Sequence, residues 1–273
     1  MTVIVKRRDT RRTVVWFSAG APSAVAAKLT LAAGPAVIAF CDTGVEHSDT
    51  YRFLDDCEEW FGQEVVKLKS KRYGSTWDVY EKRRFLVSAN GALCTAEMKK
   101  KPRFDFERPS DIQIMGFTLE EQKRANRFLE QNPGVDLRTP LISAGLTKPD
   151  CLAMVERAGL KLPHLYSLGF AFANCIPCVK GGMGYWNKIR IEFPNEFARM
   201  ALLERELGRS ILREKDPDNP SKKRQVFLDE LDPNRGDFAT EPKIECGVNC
   251  EVAEDTYADS GTVVPVPVTL RSS

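Results

Sequence analysis

The chain has 273 residues, 42% of them hydrophobic and 29% charged, with a formal net charge of +2; that length suits one large folded domain or two small ones. The small net charge argues against a strongly basic nucleic-acid binder, and no apolar run approaches a membrane span. The opening Met-Thr-Val-Ile-Val-Lys-Arg-Arg lacks the order of a secretory signal, so a cytoplasmic setting without a membrane partner is expected.

The basic cluster from Lys6 to Arg12 reads as a solvated arm or an anion contact. Thr13 to Phe17 is a short β-branched and aromatic run, which predicts a buried strand. Ser18 to Ser23 is small and turn-forming, and Ala24 to Ala33 is rich in helix formers, with Val25, Leu29 and Ala32 on one stripe. Strand, small-residue loop and helix together point backbone N–H groups and a positive helix end at an anion, usually phosphate. Gly20 allows a close backbone approach, and Ser18 and Ser23 are candidate hydroxyl donors. An ordinary βα turn is the plainer alternative.

Ala36 to Cys41 is a second apolar strand ending in Asp42-Thr43-Gly44, a helix follows from about Asp49 with Tyr51, Leu54 and Trp60 on one face, and Glu64 to Leu68 is a third strand. This alternation predicts an α/β fold, a mostly parallel twisted sheet with helices on both faces. In such sheets ligands sit at the carboxyl ends of the strands, which places Ser18 to Ser23 and Asp42 to Gly44 on one crevice. Asp42 is then a partner for ribose or adenine, or a cap on its own turn. Further on, Trp77 to Val87 reads as a helix, Asp111 to Gly116 as a fourth strand and Thr118 to Gln131 as an amphipathic helix. Asn132 to Arg138 reads as a loop, and Thr147 to Ala158 and Pro194 to Leu207 as helices. Arg213 to Asp237, charged and rich in Pro, Asp and Asn, reads as a mobile insertion. We divide the chain into an α/β core at 1–135, a Cys-rich helical and irregular region at 136–250 packed on it, and an extended tail at 251–273.

Eight cysteines in a cytoplasmic chain do not suggest a disulfide framework. Cys41, Cys57 and Cys151 stand alone in apolar or helical contexts and read as core. Cys94, Cys175, Cys178, Cys246 and Cys250 sit in turn-like segments at ligand-like spacings. Cys175-Ile176-Pro177-Cys178 suits two thiolates converging on a metal or a redox dithiol, and buried core thiols are the plain alternative. Spacing alone does not separate zinc from an iron–sulfur cluster.

Several of these segments together resemble the phosphoadenylyl-sulfate (PAPS) reductase family of the PP-loop superfamily. Ser18-Ala19-Gly20-Ala21-Pro22-Ser23 is similar to the family's loop, and Asp42-Thr43-Gly44 followed by Asp49-Thr50-Tyr51 resembles its Asp-Thr-Gly and Glu-Thr-Tyr pair. Pro140-Leu141 through Tyr166 and Gly169 into Asn174 to Cys178 resembles the segment of iron–sulfur members, Cys94 with Lys99 resembles a paired-cysteine motif, and Glu245-Cys246-Gly247 resembles the segment bearing the reductases' nucleophilic cysteine. The chain departs from the pattern at Pro22, which replaces a loop acid of the ATP pyrophosphatases, at Thr95, which replaces a second cysteine, and at Val248-Asn249-Cys250, which replaces a terminal Leu-His.

The resemblance implies that ATP or an adenylyl-sulfate nucleotide lies with its phosphates or sulfate over Ser18, Ala19, Gly20, Ala21 and Ser23, near Asp42, Thr43 and Gly44. Arg83 and Lys99 are then counter-charges, or else ordinary surface charges. It further implies a four-iron four-sulfur cluster, with zinc as the rival, on Cys94, Cys175, Cys178 and one of Cys246 and Cys250. The remaining cysteine of that pair is the nucleophile. The expected activity is sulfonucleotide reduction, with a thiol or electron-donor protein as partner, or sulfur transfer after adenylylation, with a nucleic acid as acceptor. A non-catalytic nucleotide-binding or regulatory module with a structural zinc site is the other class.

Overall fold

The computed structural model describes residues 10–88 and 91–244. In chain order the first half runs β1 (Thr13–Phe17), α1 (Ala21–Ala33), β2 (Val37–Cys41), α2 (Ser48–Phe61), β3 (Val66–Leu68) and α3 (Thr76–Arg83). A short α4 (Leu93–Thr95) passes through a π-helical turn, Ala96–Lys100, into α5 (Lys101–Phe106), followed by β4 (Ile112–Met115), α6 (Gln122–Gln131) and β5 (Asp136–Arg138). Then come α7 (Pro140–Ser143), α8 (Lys148–Arg157), α9 (His164–Ser167), α10 (Met183–Glu192), α11 (Pro194–Leu207) and a hairpin of β6 (Leu212–Lys215) and β7 (Lys223–Val226).

The first five strands form one sheet in the order β3-β2-β1-β4-β5, with every neighbouring pair parallel. The α/β expectation is therefore met. The strand order reverses beside β1, so the ends of β1 and β4 open a crevice where such sheets bind ligands. Residues of β1 alternate between faces: Val15 and Phe17 pack with α1, α2 and α8, while Val14 and Trp16 pack with Phe117, Ala125 and Phe128 on the other side. Burial on both faces is why this strand reads as a continuous apolar run. A further core joins Trp77 and Tyr80 of α3 to α10, α11, Cys94, Cys178 and the hairpin, so the two main cores interleave along the chain.

A buried polar network fixes the far side of the sheet. Arg103, 2% exposed, donates to Gln113 Oε1 at 2.7 Å and to Glu107 Oε2 at 2.8 Å. Trp16 Nε1 donates to the same Gln113 oxygen at 3.0 Å. At the start of the described chain Arg12 chelates Asp111 through Nε and Nη2, and Arg11 pairs with Asp136 at 2.8 Å. These two arginines are thus sheet-edge clasps rather than part of a solvated arm or an anion contact.

Three expectations are corrected. Asp136–Arg138 is an edge strand, not loop, because β4 offers it parallel partners from Ile112 to Ile114. The helix expected over 77–87 ends at Arg83, where Arg84 turns left-handed with φ 47°. The segment expected to be a mobile insertion contains the β6–β7 hairpin, with Leu212 and Val226 buried in the second core. Glu204, fully buried on α11, anchors it by accepting the N–H of Ile211 at 2.6 Å and of Leu228 at 2.7 Å.

Two outcomes follow. Replacing Arg103 with Ala leaves the Gln113 and Glu107 acceptors short of a buried donor and is expected to cost about 3–5 kcal/mol, read from urea denaturation. Burial holds the Glu204 carboxyl up at about 7. The folded state therefore keeps this proton where the unfolded chain has lost it, so the contribution of Glu204 is present below the ordinary carboxylate range and is lost as pH rises toward 7. Glu204→Gln is expected to flatten that slope in stability measured against pH.

Candidate functional site

Between β1 and α1 the chain makes a closed knot. Ser23 Oγ donates to Gly20 O at 2.9 Å and accepts the Ser18 N–H at 3.0 Å. The Ser18 and Ser23 hydroxyls are 3.0 Å apart. Because the Ser23 proton is committed to Gly20, Ser18 must be the donor of that pair. In this arrangement both serine protons are used inside the loop. What the loop still offers is backbone: the N–H groups of Ala19, Gly20 and Ser23 donate to no other group among the described residues. Ala19 holds φ 54°, the left-handed region that costs a side-chain-bearing residue about 1–2 kcal/mol.

The helix start is pressed against the end of β4. A Cβ on Gly116 would lie 2.7 Å from Ser23 Cα and 2.9 Å from its nitrogen, so only glycine permits this approach. Ala21 N–H, the first of α1, donates to the hydroxyl of Tyr166 on α9 at 3.3 Å. The same hydroxyl is 3.1 Å from where a Gly20 Cβ would be.

A cavity of about 140 Å³ opens over this knot, and Ser18, Gly20, Ser23, Cys41, Glu46, Lys99, Glu121, Arg124, Tyr166 and Asn174 are among its walls. Of the expected nucleotide residues, Ser18, Gly20, Ser23 and Lys99 meet here, with Ala19 and Ala21 in the loop backbone. Asp42, Thr43 and Gly44 stand at the end of β2 but do not line the cavity. Asp42 instead accepts Gly44 N–H at 2.9 Å and Tyr51 O–H at 2.8 Å, and pairs with Lys69 at 3.4 Å. Gly44 holds φ 71°, where a Cβ would meet Gly74 O at 2.4 Å. Arg83 lies outside the cavity, paired with the buried Glu97 at 3.4 Å.

Glu46 is the wall carboxylate that sequence reading missed. It accepts Thr43 Oγ1–H at 2.7 Å, and burial raises its pKa while the Lys99 ammonium opposes the rise. Its position two residues past Asp42-Thr43-Gly44 was the available signal. Cys41, a wall thiol, is pushed up to about 11 by burial, so it stays protonated and is a poor nucleophile near neutrality. Cys41, Cys57 and Cys151 are buried as expected.

Cys94, Cys175 and Cys178 are all buried. Tyr80 is hydrogen-bonded to Cys94 and within electrostatic reach of Cys178 and Cys175, and its pKa is raised well above the ordinary phenol value, first by burial and then by these thiols. The Tyr185 hydroxyl oxygen (Oη) accepts the Cys178 N–H at 2.7 Å. Ile176 N–H donates to Val45 O at 3.1 Å, tying the cysteine turn to the segment that carries Glu46. Among the described residues no group of three or more His, Cys, Asp or Glu is arranged to hold a metal. Cys246 and Cys250, expected as ligand and nucleophile, lie outside the described residues.

The sequence matches the phosphoadenosine phosphosulfate reductase domain over residues 12–180. The chain belongs to that family. The match spans β1 through the cysteine turn, so the knot, the cavity walls other than Ile244, and Cys94, Cys175 and Cys178 fall within the family domain. The chain is also similar to an uncharacterized 37.8 kDa protein of Escherichia phage 186, 22% identical over 63% of this chain and 67% of that one. Among solved structures it is similar to the phosphoadenylyl-sulfate reductase of Candida auris in its phosphate complex. That match has 18% identity and a TM-score of 0.48, covering 61% of this chain and 83% of the other. No helix among the described residues is long and apolar enough to cross a membrane.

Gly116→Ala is expected to lower stability by about 1–3 kcal/mol through forced backbone displacement, read from the urea midpoint. Gly134→Ala, where a Cβ meets nothing within 4 Å, serves as the control with a much smaller change.

Proposed function

We propose that this protein is an adenine-nucleotide-binding enzyme of sulfur chemistry, a sulfonucleotide reductase in the manner of its family. The observation that carries the reading is the adjacency of two features: a helix-start cavity with unpaired backbone donors, and a buried cysteine turn entering through the same wall at Asn174. The N–H groups of Ala19, Gly20 and Ser23 bind the phosphoryl or sulfuryl oxygens, and Lys99 supplies the counter-charge. Glu46 shares the cavity wall with Lys99 and lies in the field of its ammonium.

Cys94, Cys175 and Cys178 are three buried soft donors in the field of Tyr80, the donor chemistry a thiolate-bound cluster takes, although by themselves they do not form a closed metal-holding group. Cys246 or Cys250 is the fourth ligand. When bound, a four-iron four-sulfur cluster would order the cysteine segment beside the site, while both electrons of the reduction come from the dithiol donor. The other C-terminal cysteine attacks the sulfur as a thiolate: its S–S bond to the sulfonate forms as the S–O bond to the nucleotide breaks, and the nucleotide phosphate leaves. A thiol donor protein then releases sulfite, the two thiols being oxidised to a disulfide as the sulfur is reduced.

Pro22 favours a second reading. It stands at the first turn of α1, lines the cavity, and replaces the loop acid of the ATP pyrophosphatases. It argues against ATP-driven adenylylation, and so against nucleic-acid thiolation, and leaves a nucleotide-binding or regulatory module with structural zinc as the alternative.

Protein purified without oxygen is expected to contain iron and sulfide and to release sulfite from PAPS or adenylyl sulfate with a dithiol donor. Cys178→Ser is expected to remove the metal, and Cys246→Ser with Cys250→Ser to abolish sulfite release. Stoichiometric zinc with nucleotide binding but no turnover would establish the module reading instead.

A further inference from the structure

The Tyr166 hydroxyl has filled only half of its hydrogen-bonding capacity. It accepts the Ala21 N–H at 3.3 Å. No group among the described residues accepts its own proton. A phenol that accepts from a backbone N–H has one donor left, and a donor set against a buried site needs an acceptor. Tyr166 stands in the cavity wall, beside Gly20, where a Cβ would be only 3.1 Å from its oxygen. The absence of a side chain at Gly20 keeps the hydroxyl against the loop.

The environment favours retention of that proton. Burial pushes the Tyr166 phenol up to about 12, so it remains a donor throughout the working range. The Lys148 ammonium lies 5.4 Å from the Tyr166 ring and 4.1 Å from that of Phe172. It also donates to Ala171 O, which holds this wall together. The two serine hydroxyls of the loop, by contrast, have spent their protons on Ser23 and Gly20.

We infer that Tyr166 donates its hydroxyl proton directly to a tetrahedral oxyanion, phosphoryl or sulfuryl, bound over Ala19 to Ser23, and thereby takes the place of the loop serines as the side-chain donor of this site. This rests on the proposed nucleotide-binding reading and adds a ligand-contacting residue to it. Accepting from Ala21 while donating to the anion polarises the O–H and passes the helix-start potential to the ligand.

The test compares the full chain with Tyr166→Phe, which keeps the ring and its packing, by calorimetric titration with ATP, inorganic pyrophosphate and adenosine. The expected result is ATP and pyrophosphate binding weakened at least ten-fold, with adenosine changed less than two-fold and the melting temperature close to that of the parent. Unchanged or tighter pyrophosphate binding in Tyr166→Phe overturns the inference, because the hydroxyl is then only a plug on Ala21 N–H. An equal loss for adenosine also overturns it, since the role is then structural. If the parent protein itself binds none of ATP, pyrophosphate and, titrated in the same way, PAPS, the nucleotide-binding reading falls along with the inference, whereas parent binding with an unaffected variant removes the inference alone.

Discussion

The site depends on what Ser23 Oγ does. One oxygen accepts the Ser18 N–H, accepts the Ser18 hydroxyl and donates to Gly20 O, which closes the five-residue path from the end of β1 to the first turn of α1. The closure forces Ala19 into the left-handed region, and it survives because the surrounding packing over-determines it. On one side Gly116 admits the Ser23 backbone at a distance no side chain allows. On the other, the Tyr166 hydroxyl oxygen takes the Ala21 N–H. Proline at the second helical position has a fixed φ and no N–H to satisfy. The loop is therefore preorganised, with the N–H groups of Ala19, Gly20 and Ser23 unused by other described residues and little conformational freedom left to lose.

Preorganisation by internal hydrogen bonds changes who contacts the ligand. A serine-rich loop suggests hydroxyl donors, but these serines spend their protons on each other and on Gly20. Chemical diversity at the site then has to come from the walls. Glu46 and Lys99 face the cavity and sit in each other's field, burial raising the carboxyl while the ammonium opposes it. Asp42, the residue whose position at the strand end drew attention, faces its own turn: Gly44 N–H and Tyr51 O–H occupy the same oxygen. Burial and the Asp42 charge both raise the Tyr51 phenol, so the pair shares one proton firmly and braces the β2–α2 connection.

The sheet was legible where hydrophobic pattern and burial coincide. Val14 to Phe17 and Ile38 to Phe40 are buried on both faces, and a parallel central strand has no other way to look. Asp136–Arg138 was not legible, because a three-residue charged strand carries no pattern of its own and exists only as a partner to β4. The hairpin at 212–226 was hidden for a related reason. Its lysines and arginines read as unfolded chain, while the features that fix it are Leu212, Val226 and a glutamate one helix earlier. Helix α10 went unread because Gly184 opens it and Tyr185, Trp186 and Ile189 are all buried, leaving no polar stripe to mark a period. At the site, the loop and Lys99 could be found from local sequence. Glu46 and Tyr166 could not be assigned from it, since their roles arise from contacts with Lys99 and with a residue 145 positions away.

The long-range contacts also tie the cysteine turn to the wall of the loop cavity. Ile176 N–H is held by Val45 O, and Val45 precedes Glu46, so the β2–α2 connection carries the cavity carboxylate on one side and the cysteine turn on the other. Asn174 and Ile244 line both this cavity and a second, aromatic one of about 220 Å³ bounded by Phe170, Tyr185 and Phe238. Asn174 Nδ2 donates to Ile244 O at 3.3 Å, closing the partition between them. Tyr185 stands at the far wall with its hydroxyl on the Cys178 N–H. A displacement of the cysteine turn would therefore disturb Val45 through its hydrogen bond, Tyr185 of the aromatic cavity, and Asn174, which lines both cavities. Packed walls of this kind shift as units rather than bend locally, so the cysteine turn and the wall of the loop cavity are joined through a single short stretch of chain.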